Sequence, residues 1–174
     1  MMRTIMMGLA VEGLLAGCSG DTAPKPEEEA KAAALQPGEY EITAKIDEVH
    51  STDKTTPVTK AKAGDPPTTR RACVAADGSI AAEAFSDTGD KCAVSSSYIR
   101  GGRMSVQLTC SRTNGQVMQL ADGDFKADSF EAKLKTATYF AGPGDYEMTR
   151  TMTGKRVGDC PAASAKSEAG KAKG

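Results

Sequence analysis

The chain has no tryptophan, a single histidine and only eight other aromatic residues, four Tyr and four Phe. So few large rings limit what a domain can bury, and the core must be small. One histidine, His50, excludes every multi-histidine metal centre and most His-based catalytic triads. Neither charge is in excess: 22 Lys and Arg stand against 23 Asp and Glu. That balance gives no electrostatic footprint for nucleic acid, and no nucleic-acid partner is expected. There is no Cys-x-x-Cys redox pair and no Gly-x-Ser-x-Gly nucleophile elbow.

What is present begins with an address. Residues 1–17 read as an export signal, with Arg3 as the positive start and Ile5–Ala16 as the apolar stretch. That stretch falls short of the about 20 residues a membrane-spanning helix needs. Glu12 interrupts it, because an ionised carboxylate is costly in hydrocarbon. It ends in Leu15-Ala16-Gly17-Cys18, which resembles the bacterial lipobox. By that resemblance Cys18 becomes a lipidated N-terminus, which anchors the chain to a membrane. More than one acyl chain is needed for stable anchoring. Ser19, in place of Asp, leans toward the outer membrane, with a soluble periplasmic protein as the alternative.

Residues 18–36 are polar and proline-broken and read as a disordered tether. Residues 162–174 use only Ala, Ser, Lys, Glu and Gly and read as a disordered tail. The region 37–161 is left as one domain.

Alternation dominates that domain. Tyr40, Ile42, Ala44 and Ile46 share one face of a strand, as do Met104, Val106, Leu108 and Cys110. Phe130, Ala132 and Leu134 repeat the pattern, and so do Tyr146, Met148 and Met152. Thr68–Val74 and Cys92–Ile99 read as further strands. Val117–Lys126 loses its alternation near Met118 and Leu120, which predicts a bulge. Ser51–Pro67 reads as a long exposed loop, and Asp77–Phe85 as a short helix. Short Gly- and Asn-containing links predict an antiparallel meander of about seven strands. The expected fold is all-β, a strongly curved sheet or a small lipocalin-like barrel with one short helix.

Setting Cys18 aside, Cys73, Cys92, Cys110 and Cys160 remain. An even count in an oxidising compartment predicts two disulfides. If Arg100–Gly102 form the hairpin loop, Ile99 faces Arg103 and Cys92 faces Cys110, close enough to bridge. Cys73 is then left for Cys160.

Four stretches together carry a family resemblance. These are Pro37-Gly38-Glu39-Tyr40-Glu41, the Cys92–Cys110 hairpin, Phe125-x-x-Asp128-Ser129-Phe130, and Gly154-Lys155-Arg156-Val157-Gly158-Asp159-Cys160. The region 37–161 resembles domain-of-unknown-function family 3617, small exported proteins of Gram-negative bacteria that are often lipoproteins. Tyr40 stands where Trp is common in that family. The resemblance implies export, an all-β fold and two disulfides, and it implies no activity.

No residue reads as catalytic, and no cofactor or metal is expected. His50 beside Ser51 and Asp53 reads as an exposed histidine rather than a general base. Met104, Met148 and Met152 offer thioethers for copper(I) but read as core. Arg70-Arg71 and Arg150 with Arg156 are candidates for an anionic headgroup. An inward Arg150 needs an acidic partner or a ligand; the reading taken is a twisted or edge strand that lets it reach water. The function expected is a monomeric, non-enzymatic envelope lipoprotein that binds a small amphiphile or an envelope protein. The alternative is a structural or assembly accessory without a small ligand.

Overall fold

The computed structural model describes residues 34–161, Thr88 excepted. The export signal, Cys18 and the tail lie outside the described residues. Alternation folds into seven strands: β1 Gly38–Ser51, β2 Thr68–Val74, β3 Lys91–Arg100, β4 Arg103–Arg112, β5 Gly115–Lys126, β6 Ser129–Phe140 and β7 Tyr146–Gly158. They form one antiparallel sheet in the order β2-β1-β7-β6-β5-β4-β3. Strands β3 to β7 are the expected meander. β1 lies against β7, and β2 lies outside β1.

The sheet curls into a half-barrel whose free edges are β2 and β3. A single 3-10 turn, Ala82–Ala84, packs against both edges. Covering an edge in this way guards it against pairing with other chains. Register shifts at Glu39/Tyr40 and Ile46/Glu48 in β1, and at Val94/Ser96 in β3, sharpen the local twist.

The helix expected over Asp77–Phe85 shrinks to that one turn. Ile80 instead bridges to Val74 in extended pairing, and Ala84 and Phe85 are buried beneath the turn. So short a segment cannot offset helix nucleation, and tertiary pairing decides its shape. The bulge expected in Val117–Lys126 is also absent, since β5 pairs with β4 and β6 without a shift. Alternation merely looked broken there because a polar residue, Gln119, sits inside while Met118 faces out.

The β3–β4 loop is two residues, Gly101 and Gly102, with φ of 59° and 75°. Tight hairpins need such positive φ at both positions, which glycine adopts at little cost. Arg100 therefore faces Arg103, one step from the expected register. The shift between Val94 and Ser96 restores the step, so Cys92 does face Cys110, with Cα atoms 3.9 Å apart. Cys73 pairs with Cys160 at a Cα distance of 5.7 Å and ties β2 to the end of β7 across β1.

The inner face is apolar over most of its length: Tyr40, Ile42, Val106, Leu108, Phe130, Leu134 and Met152 are all buried. Leu35, from the segment read as tether, is buried with them, and Gln36 N donates to Ala127 O at 2.7 Å. The domain thus starts slightly before Pro37.

Candidate functional site

The half-barrel is filled at one end and open at the other. The open end is where β7 and β2 begin and β4 finishes. Period-two alternation turns Tyr146, Met148 and Arg150 inward from β7, and Arg112 and Arg70 reach the same space from β4 and β2. Ser86, Asp87 and Asp90, from the segment that crosses between the edges, complete the ring. Together they line a cavity of about 990 Å³. Ala44, Ile46, Val58 and Met148 give it an apolar wall beside Arg70, Arg112 and Arg150.

Arg150 does not reach water. Only 4% of it is exposed, because β7 is a central strand flanked by β1 and β6 and offers no edge. Its Nη1 donates to Asp87 Oδ1 at 2.6 Å and its Nη2 to Thr136 Oγ1 at 3.3 Å. The acidic partner that an inward arginine requires is therefore Asp87. Its Nε is buried with no partner among the described residues.

Arg112 is fully engaged. Its Nε and Nη2 donate to the two oxygens of Asp90 at 2.6 and 2.8 Å, and its Nη1 to Tyr146 Oη at 3.2 Å. The Asp90 carboxylate raises the Arg112 pKa above its ordinary value. Asp87 lies 3.7 Å from Arg112 as well, so it faces two guanidiniums.

Arg70 and Arg71 split across the sheet. Arg71 turns outward to Glu39 and Glu41 at 3.0 and 3.9 Å. Arg70 turns inward, where its Nη1 donates to the carbonyls of Ser86 and Glu83. Burial lowers the Arg70 pKa, the neighbouring Arg150 lowers it further, and Asp87 opposes both. Among the described residues Arg70 has no carboxylate partner. Arg156 lies at the opposite end and binds the Pro37 carbonyl and Asp159.

The Ser51–Pro67 loop is not simply exposed. Val58, Thr59, Ala61 and Pro66 form one side of the cavity. Asp53 holds the loop in place. Its Oδ1 accepts from Ser51 Oγ at 3.0 Å and from Thr55 N and Oγ1 at 2.9 and 2.7 Å. Its Oδ2 accepts from Gly144 N and Asp145 N at 2.7 and 3.2 Å. So many donors hold the Asp53 pKa well below the usual carboxylate range. Ser-x-Asp-x-Thr was the available sequence signal, a local turn motif, but it named only half of the partners.

His50 lies on the outer face of β1 between Glu48 and Glu147, at 3.5 and 3.3 Å, and takes no part in the cavity. Met104 and Met152 belong to the continuous core, and Met148 alone of the three lines the cavity. Asp90 lies within 4.8 Å of the Cys92 and Cys110 sulfurs, but those are bonded to each other and its carboxylate is taken by Arg112.

Residues 35–160 match the family model described as "Protein of unknown function (DUF3617)". The chain belongs to this family. Searches of curated proteins and of solved structures give no match. Three of the motifs that carried the DUF3617 resemblance meet at the filled end, while the Cys92–Cys110 pair lies at the other end, beside Asp90. Tyr40 faces Arg156 and Ile42 faces Gly154 across β1 and β7. Tyr40 Oη donates to Gln36 O at 2.9 Å, and its burial pushes its pKa up to about 12. The Phe130 ring occupies the space where Gly154 lacks a Cβ. Arg156 N donates to Asp128 O at 2.8 Å. These three DUF3617 motifs build the floor, and none of them lines the cavity.

Proposed function

We propose that the protein is a non-enzymatic binding module of the cell envelope that takes a small amphiphile in the open end of its half-barrel. In this reading Cys18 carries lipid and holds the domain at the periplasmic face of the outer membrane, and the chain acts as a monomer. The observation that supports it is the cavity of about 990 Å³, lined by an apolar wall on one side and arginines on the other. That volume is at the upper end of what small-molecule sites use.

A second reading is supported by the outer face, where Met118 and Tyr139 are more than half exposed. An apolar surface of this kind suits a structural or assembly accessory without a small ligand.

Native mass spectrometry of the full chain in lipid nanodiscs separates the two. The amphiphile reading expects a non-covalent adduct that disappears in Ala61→Trp, which places bulk in the cavity. A bare protein, or an adduct that Ala61→Trp leaves intact, favours the accessory. For the anchor, Cys18→Ser should release the chain from the membrane fraction, and retention would rule the lipid out.

A further inference from the structure

We infer that the amphiphile bound in the open end carries a single anionic group, a carboxylate or a phosphate, and that Arg70 is the residue that receives it. This rests on the amphiphile-binding reading above and specifies its chemistry.

The charges that line the cavity are paired unequally. The lining holds five cationic residues, Lys60, Arg70, Arg71, Arg112 and Arg150, and four acidic ones, Asp65, Glu83, Asp87 and Asp90; of the arginines, Arg71 turns outward to Glu39 and Glu41 and the other three turn inward. Asp90 is taken by Arg112 through a bidentate pair, and Asp87 is taken by Arg150 at 2.6 Å. Of the three inward arginines, Arg70 alone has no carboxylate partner among the described residues. Its Nη1 is held by backbone carbonyls, which fix the fork in place without neutralising it. Its Nε and Nη2 have no acceptor among the described residues. A partly desolvated cation beside another cation is costly, and an anion placed against it relieves both penalties.

Arginine suits the task, because its planar fork meets a carboxylate or phosphate through two parallel hydrogen bonds. The apolar wall decides what the anion is attached to. Ala44, Ile46, Val58 and Met148 border the same space, so an alkyl chain leaving the anion has a surface to cover. Inorganic phosphate would satisfy Arg70 and leave that wall wet. The ligand therefore has an anionic head and an apolar tail.

The test is a titration of the full chain in phosphatidylcholine nanodiscs, with empty nanodiscs as the blank. The probes are octanoate, octyl phosphate, octanol, octyltrimethylammonium and inorganic phosphate. Octanoate and octyl phosphate should bind at least tenfold more tightly than octanol, and octyltrimethylammonium should not bind. Arg70→Met should lower the two anionic affinities at least tenfold and leave octanol unchanged, with Arg70→Lys falling between. The ranking of probes on the unaltered protein stands even if a variant folds poorly. Octanol binding as well as octanoate would overturn the anionic head and leave the amphiphile reading standing. Inorganic phosphate binding as tightly as octyl phosphate would overturn the tail. Failure of every octyl probe would overturn the amphiphile reading itself.

Discussion

Arg150 Nη1 lies 2.6 Å from Asp87 Oδ1, and this pair ties the central strand β7 to the segment that spans the two sheet edges. The two ends of the bond differ in exposure, with side-chain accessibilities of 5% for Arg150 and 32% for Asp87. Removing Asp87 strands a buried cation, whereas removing Arg150 leaves a carboxylate that water can reach. Asp87→Ala should therefore cost about 1–3 kcal/mol, below the range for fully buried pairs. Arg150→Met, of similar volume, should cost less. Urea denaturation of both variants reads the asymmetry, and equal losses would show that the pair is screened.

The two disulfides should differ in their worth. The Cys73–Cys160 pair closes a sequence separation of 87 residues and Cys92–Cys110 one of 18. Loop entropy then gives about 4.6 and about 3 kcal/mol. Replacing the first pair by alanines should lower the urea midpoint more than replacing the second.

Gly154 leaves space for a ring, since an added Cβ would collide with Phe130. Gly154→Ala should destabilise by about 1–3 kcal/mol, the usual cost of overpacking. Adding Phe130→Leu should recover part of that loss. A double variant no better than the single one would mean that the backbone, rather than the ring, resists the methyl group.

Asp53 sets a pH dependence. Its folded pKa is depressed by the hydrogen bonds from Thr55, Gly144 and Ser51. Such a carboxylate contributes stability at pH above its unfolded value of about 4, and that contribution fades as pH falls toward the folded value. Asp53→Asn should accordingly be less stable than the parent at pH 7, and the difference should shrink in strong acid. Thermal unfolding from pH 2 to pH 7 measures it, and a pH-independent difference would contradict the assignment.

Most of the fold was legible because one face of each strand is buried, and burial writes itself as alternation. The glycines of the β3–β4 turn were legible as a turn, but Cys92 meets Cys110 only because the shift at Val94/Ser96 offsets a one-residue error in the expected register. The site was not. Arg150 stood on the inward face of its strand, yet its partner Asp87 lies 63 residues away, just past the stretch that reads as helix, with no pattern to mark it. The hold of Asp53 on Gly144 spans 91 residues. Gln119 inside the sheet passed for a bulge because a polar residue breaks the pattern without breaking the pairing. The family motifs, apart from the Cys92–Cys110 pair, mark the floor of the half-barrel, and none of them names the arginines of its open end.

The most direct test of the central claim is where an amphiphile lands. Isotope-labelled full chain in phosphatidylcholine nanodiscs should be titrated with octanoate and followed by NMR. The account predicts shifts at Arg70, Val58, Met148 and Arg150, with the floor around Tyr40 and Phe130 unmoved. Shifts confined to the outer face around Met118 and Tyr139, or none at all, would contradict it.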